Sequence, residues 1–268
     1  MIVDHELINQ VEDAIAAERS AFAAGMAAFQ PESGACWLPI AGGRAIFTGA
    51  DFFTNRVMAI GLHGPVSRDD VERVETFYAE RGLPSEIELA STVDRSLLRL
   101  LSQRGYQLVR FRNIYAQAVG RRDVAGPKVV ELHEVDASNA ADWSTTLLDG
   151  FEYTSDADRD RVEIWNRMLR TVSELTALVA VMDGKPVGSA SVMILGSTAV
   201  LGGAATLPAF RRQGVQQALI KARLAVAART GCELAVVTAD PGSSSGRNAE
   251  RTGFQLVCNH VTMRAPGR

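Results

Sequence analysis

The stretch LGGAATLPAFRRQGVQQALIKARLAVAAR, residues 201–229, decides how this chain folds. It runs from an apolar, strand-like segment through Pro208 and a basic turn to Gly214, and from there into an amphipathic helix. On a helix Val215, Ala218, Leu219, Ala222 and Val226 recur on one face, whereas Gln216, Gln217, Lys221 and Arg223 fall largely outside that stripe. The pattern predicts a helix laid on a sheet. The first turn of such a helix has backbone N–H groups without intrahelical partners, and the positive end of the macrodipole adds to them. The amides of Gln213, Gly214, Val215, Gln216 and Gln217 therefore form an expected anion site suited to a phosphate, with Arg211 and Arg212 supplying charge beside it.

The flanking segments set this turn in an alternating α/β order. Residues 232–239 (CELAVVTA) have the length and β-branched content of a buried strand. The turn-rich PGSSSGRNAERTGFQLVC follows, in which a short helix stops at Gly253 and Phe254 opens another strand. Upstream, Leu175 to Met182 and Pro186 to Leu195 flank Asp183-Gly184-Lys185, a strong hairpin signal. Arg211, Gly214 and the position of Gln216 resemble the pyrophosphate-binding signature Q/R-x-x-G-x-G/A of the GNAT acyl-CoA N-acyltransferases. Gln216 departs from the small residue of that pattern. Gly253-Phe254 looks like the C-terminal GF turn of the same family, and the resemblance covers about residues 128 to 268.

Composition frames the rest. The chain has 268 residues, 47% of them apolar and 22% charged, which is ordinary globular composition at a length that suits two domains. A net charge of −3 gives no global field for nucleic acid or an anionic membrane, so any basic site must be local. The pairs Arg121-Arg122 and Arg211-Arg212 are too short to argue for nucleic acid, since no basic-aromatic interleaving accompanies them. Cys36, Cys232 and Cys258 lack metal-ligand spacing and read as reduced thiols; with no HExxH and no paired CxxC, no metal centre is expected. His5 and His63 stand alone and read as surface or packing residues. The N-terminus has no basic region leading into an apolar core, and no run is long enough to span a bilayer, so a cytoplasmic protein is expected.

The N-terminal half repeats the order of the C-terminal half. Leu7 to Phe29 reads as an amphipathic helix through Ile8, Val11, Ile15 and Phe22, ending near Gln30-Pro31. Ala35 to Ile40, Arg44 to Thr48 and Arg56 to Leu62 read as three short strands. Ser67 lies three residues ahead of Asp70, a capping-box-like start to a helix closed by Gly82. A strand at Glu86 to Ala90, a helix at Asp94 to Arg104 and Gly105-Tyr106 leading into another strand complete the series. The resemblance thus implies an α/β (α+β, mixed-sheet) fold of two tandem GNAT-like domains: 1–120 degenerate and without a phosphate loop, a linker at 121–127, and 128–268 binding acetyl-CoA. In the first copy the arginines are absent, and Asp69 and Asp70 compete for the helix dipole.

What the resemblance implies chemically is direct transfer of an acyl group, usually acetyl, from acetyl-CoA to an amine. Thr206 and Leu207 occupy the positions where the family's splayed fourth strand offers free amides to the pantetheine and the acyl carbonyl. Many relatives carry a tyrosine acid four residues before the GF glycine; here that place is Ala249. Asn248 and Ser245 are candidates for the pantetheine arm. Glu152 and Tyr153, in the loop DGFEYTSDADRD that covers the acceptor site in the family, are the candidate catalytic pair. A small-molecule amine is the expected acceptor, since the first domain would wall off part of the cleft. Two other readings stay open: an acyl-CoA-binding sensor or scaffold that has lost catalysis, and a nucleotide-binding interaction module.

Overall fold

The computed structural model describes residues 1–120 and 129–267; the linker expected at 121–127 lies outside the described residues. In chain order the elements are α1 (His5–Phe29), β1 (Cys36–Ile40), β2 (Gly43–Phe47), β3 (Arg56–Met58), α2 (Arg68–Ala79), β4 (Glu86–Ala90), α3 (Arg95–Gln103) and β5 (Gln107–Ala118). There follow β6 (Glu131–Glu134), α4 (Ala140–Gly150), α5 (Asp156–Leu169), β7 (Leu175–Met182), β8 (Lys185–Leu195) and β9 (Thr198–Thr206). The chain closes with α6 (Val215–Arg229), β10 (Leu234–Ala239), α7 (Ser244–Arg251) and β11 (Gln255–Arg264). The architecture is mixed α/β, as expected.

Two compact units form, and they are not two contiguous segments. The first comprises Met1–Ile114, Ala239–Pro241 and Val257–Arg268; the second comprises Tyr115–Thr238 and Gly242–Leu256. The far half of β11 therefore belongs with the N-terminal unit, whereas the sequence reading kept 128–268 together. The reason is register: His260 to Arg264 pair antiparallel with Ala90 to Glu86, so the strand completes the sheet of β1, β2, β3 and β4. A strand's partner is a long-range choice that apolar periodicity does not encode.

Within the first unit, α1 starts because Asp4 accepts from the Leu7 amide at 2.9 Å, and its alanine-rich body favours helix until Pro31. Ser67 and Asp70 form the expected capping box on α2. The hydroxyl of Tyr78 on α2 donates to Ile46 O at 2.9 Å and accepts from Ile46 N at 3.1 Å, which ties helix to strand. Ala45, Phe47, Val57, Ile87, Leu97 and Leu101 are among the residues of the core. Gly43 is required there, because a Cβ would lie 2.4 Å from Ile60 N and Met58 O.

In the second unit β6, β7, β8 and β9 run antiparallel and β9 pairs parallel with β10. Asp183 (φ 50°) and Gly184 (φ 73°) make the expected tight hairpin between β7 and β8. Val215 and Leu219 of α6 pack with Leu178, Ala180, Val187 and Ala190; burying a leucine of this kind contributes about 1.5–3 kcal/mol. On α4, Trp143 is fully buried and its indole N–H donates to Ala190 O at 3.1 Å.

Candidate active site

The site begins where two strands part. Pairing of β9 with β10 runs from Thr198/Leu234 to Leu201/Val237, and β9 continues to Thr206 along β8 alone. The partner spacing on β8 slips at the same place. Ser191 faces Gly202 and Ser189 faces Ala205, so Gly203 and Ala204 together oppose Ala190, a β-bulge with Gly203 at φ 26°. A bulge bends and twists its strand, which is what drives β9 away from β10. The carbonyl of Gly202 is met instead by Arg223 Nη1 of α6 at 3.2 Å.

Arg223 is a correction to the sequence reading, which set it largely off the packed face. The residue is 2% exposed, Nε donates to Leu219 O at 3.1 Å, and burial pushes its pKa down to about 9. The signal was present in the spacing, since Arg223 stands four residues after Leu219 and eight after Val215. Polarity hid it: a charged residue at an inward position looks like an outward one until its acceptor is known.

Beyond the bulge the strand sorts the two expected amide donors. Leu207 N donates to Val187 O at 2.9 Å, so this amide closes the sheet and does not face the fork. Thr206 pairs with Gly188 one residue earlier, and antiparallel alternation turns its N–H away from β8, toward the side that β10 has left. Thr206, and not Leu207, is the open donor. The Thr206 hydroxyl also lies 3.4 Å from Gln216 Oε1, so the residue that departs from the family pattern is held to the strand end.

Next comes the turn into α6. A short 3-10 turn at Pro208–Phe210 leads to Arg212 (φ 63°) and Gly214 (φ 86°), two left-handed residues bracketing Gln213. Gly214 is the N-cap of α6, its carbonyl accepts from Ala218 N at 3.0 Å, and no side chain caps the helix. The amides of Val215, Gln216 and Gln217 in the first turn have no carbonyl four residues back within the helix. An uncapped N-terminus of a 15-residue helix, approached through left-handed backbone, is suited to an anion. Glycine matters at 214 for its backbone angle: a Cβ there would only touch Val129 Cγ2 at 3.5 Å. Gln213 Nε2 donates to Ala209 O at 3.0 Å, and Arg212 is exposed.

Arg211 points elsewhere than expected. Its Nη2 donates to Gly150 O and to Glu152 Oε2, both at 2.9 Å, and its Nε lies 3.4 Å from Thr206 O. One guanidinium thus joins the strand end to the loop after α4. That loop is a Schellman-type helix stop: Tyr153 N donates to Leu148 O and Glu152 N to Asp149 O, both at 3.1 Å. Glu152 takes the position glycine usually fills, at φ 60°, a conformation that costs a side-chain-bearing residue about 1–2 kcal/mol. The pairing with Arg211 helps to hold it. Arg159 of α5 braces the same loop through Asp149 at 2.9 Å and Tyr153 O at 3.1 Å. Phe151 and Tyr153 meet edge to face at 6.3 Å, and burial together with Asp158 raises the Tyr153 pKa.

The structure therefore brings Thr206, Arg211, Gln216, Glu152 and the 211–217 amides into one neighbourhood of bonded contacts. On α7, capped by Ser243, Ser245 is exposed and Asn248 half-buried, while Ala249 is buried. The sequence reading missed the bracing role of Arg159, whose signal is Asp149 ten residues earlier across a helix break. His260 was not singled out either.

Comparisons with known proteins bear on the fold. Residues 138–254 match the model of the acetyltransferase (GNAT) family. A GCN5-related N-acetyltransferase from Kribbella flavida superposes with a TM-score of 0.63 at 21% identity, over 93% of this chain and 96% of that one. A tandem GNAT protein from the clavulanic acid biosynthesis pathway gives a TM-score of 0.60 at 14% identity, over 84% of this chain and 79% of that one. A functionally unknown conserved protein from Staphylococcus epidermidis gives 0.59 at 14% identity, over 80% and 86%. These are likenesses of fold. No curated protein sequence matches the chain. Residues 138–254 thus carry the match to the acetyltransferase (GNAT) family, and the fold of the chain is similar to that of a tandem GNAT protein.

Proposed function

We propose that the second unit is an acetyl-CoA-dependent N-acetyltransferase acting on a small-molecule amine. The observation that carries the reading is the uncapped N-terminus of α6 behind Gly214, placed at the end of a bulged strand that has left its neighbour. The diphosphate of coenzyme A binds the 213–217 amides, and the acyl carbonyl takes a hydrogen bond from the Thr206 amide. The amine attacks the thioester carbonyl, the C–N bond forms and the C–S bond breaks, and the nitrogen releases its second proton to solvent as it becomes the amide. The thiolate takes a proton from solvent, since Ala249 fills the place where many relatives carry a tyrosine. Glu152 and Tyr153 stand on the loop expected over the acceptor, with Glu152 as the group that receives the ammonium proton and Tyr153 as a positioning hydroxyl. Ser245 and Asn248 are the candidates for contact with the pantetheine.

In the first unit the start of α2 is filled by its own capping box, with Ser67 accepting from Asp70 N and Asp70 accepting from Ser67 N. That leaves no comparable anion site there, which supports a degenerate first copy. No helix among the described residues is long and apolar enough to cross a membrane, which fits a cytoplasmic enzyme. The test is incubation of purified protein with acetyl-CoA and a panel of amines, following release of free thiol. Amine-dependent thiol release supports the reading. CoA binding with no turnover on any amine would replace it with a non-catalytic acyl-CoA sensor.

A further inference from the structure

A second cluster of chemistry-bearing side chains lies in the first unit, in a part of the chain the proposed reaction does not use. Glu12 comes from α1, Glu88 from β4, and Cys258 and His260 from β11. Two residues apart on a strand, Cys258 and His260 share one face, and both turn toward Glu12. His260 Nε2 hydrogen-bonds Glu12 Oε1, and Cys258 Sγ lies 3.5 Å from the same oxygen. His260 Nδ1 meets Glu88 Oε1 at 2.5 Å, and Arg56 Nη1 donates to Glu88 Oε2 at 3.0 Å. Glu12, Cys258 and His260 are 1–5% exposed, and their ligand atoms all lie within 4.8 Å of one another.

We infer that Glu12, Cys258 and His260 form a binding site for a divalent cation of the zinc class, with Glu88 as the carboxylate that orients the histidine. The donor set is one thiolate sulfur, one imidazole nitrogen and one carboxylate oxygen, which favours zinc over magnesium or calcium. Bonds of about 2.0–2.3 Å in a tetrahedral array hold ligand atoms about 3.3–3.7 Å apart. The Cys258–Glu12 separation of 3.5 Å already satisfies this, and the His260–Glu12 pair has to open. Glu88 on Nδ1 reproduces the carboxylate–histidine–metal relay that fixes the imidazole with Nε2 toward the ion.

Charge balance makes the exchange feasible in a buried place. Without metal, the Glu12 carboxylate accepts two hydrogens, one from His260 Nε2 and one from the Cys258 thiol. On binding, metal–oxygen, metal–sulfur and metal–nitrogen bonds form, the S–H and Nε2–H bonds break, and both protons pass to solvent. Two positive charges enter and two leave, so the buried cluster keeps its net charge and avoids a further desolvation cost. The Nδ1 proton stays on the bond to Glu88. Ligands 246 and 248 residues apart in sequence would then be clipped by one ion, joining the start of the chain to its last strand.

The full-length protein is produced in zinc-supplemented medium beside Cys258→Ser and, as a control, Cys232→Ser, and metal content is read by mass spectrometry after dialysis against a weak chelator. Wild type and Cys232→Ser should retain close to one equivalent, and Cys258→Ser at least ten-fold less. Because the variant can lose its fold, wild type is also refolded with cobalt(II) alone, in weak buffer. A thiolate-to-cobalt charge-transfer band saturating at one equivalent, with release of two protons per ion, is expected. Folded wild type that retains no zinc and shows no such band overturns the inference, as does zinc retained undiminished in folded Cys258→Ser. None of these readouts depends on acyl transfer, so the site stands or falls apart from the enzymatic reading.

Discussion

Replacing Gly214 by aspartate and, separately, by asparagine isolates the charge of the anion site from its shape. Both residues tolerate the left-handed region better than other side chains, and they are close to isosteric. Gly214 has φ 86°, and a Cβ there meets only Val129 Cγ2 at 3.5 Å, an ordinary contact, so both variants should fold with the same small backbone penalty. The difference between them is one negative charge at the mouth of the α6 N-terminus. With that carboxylate about 5 Å from a diphosphate bearing two charges, Coulomb repulsion is about 1.7 kcal/mol in water and about 6.6 kcal/mol at an effective dielectric of 20. The lower figure alone corresponds to roughly a 15-fold loss of affinity. Titration calorimetry with CoA should therefore give Gly214→Asp a Kd at least about 15-fold above that of Gly214→Asn, with a gap that narrows as salt is raised. Equal affinities, in two variants with equal melting temperatures, would refute the placement of the diphosphate on this helix.

Two further outcomes follow from packing and titration. In Gly188→Ala the new Cβ would lie 2.8 Å from Val215 Cγ1, 3.1 Å from Leu219 Cδ1 and 3.2 Å from Ala205 O, so the Val215 side chain at the start of α6 must give way; urea denaturation should show a loss of about 1–3 kcal/mol, and CoA affinity should fall with it. In metal-free protein, burial opposes the charge on His260, but Glu12 and Glu88 outweigh it and raise its pKa from 6.5 to about 10; burial likewise opposes the charge on Glu88, and His260 and Arg56 outweigh it and hold that carboxyl below its usual range. The His260 contribution is complete below pH 6.5 and lost as pH rises through about 10, while that of Glu88 is complete above the usual carboxylate pKa and lost on acidification. Urea midpoints measured from neutral to strongly alkaline pH should fall in wild type and fall less in His260→Gln; a wild-type midpoint that is flat over that range contradicts a charged His260.

How far the chain could be read differs from one residue to the next. The capping box of Ser67 and Asp70 and the hairpin at Asp183-Gly184 were both legible, because each is settled by atoms within three or four residues. Arg223 was not, although its spacing was correct, because its acceptor is a carbonyl on β9 exposed by a bulge. Leu207 looked like an open amide by position, and the pairing of β9 with β8 consumed it. Arg211 was expected on the phosphate and is bonded to Gly150 and Glu152 across the unit. His260 gave no signal, since neither of its glutamates is near it in sequence.

The order of strands and helices and the open helix start behind Gly214 belong to the sequence, because hydrophobic period and turn chemistry act locally. Which strand the C-terminal residues join, and which buried charges meet there, belong to the tertiary structure. Cys258 and His260 reach Glu12 only once β11 has paired with β4 in one register, and a shift of one residue would turn both side chains to the other face.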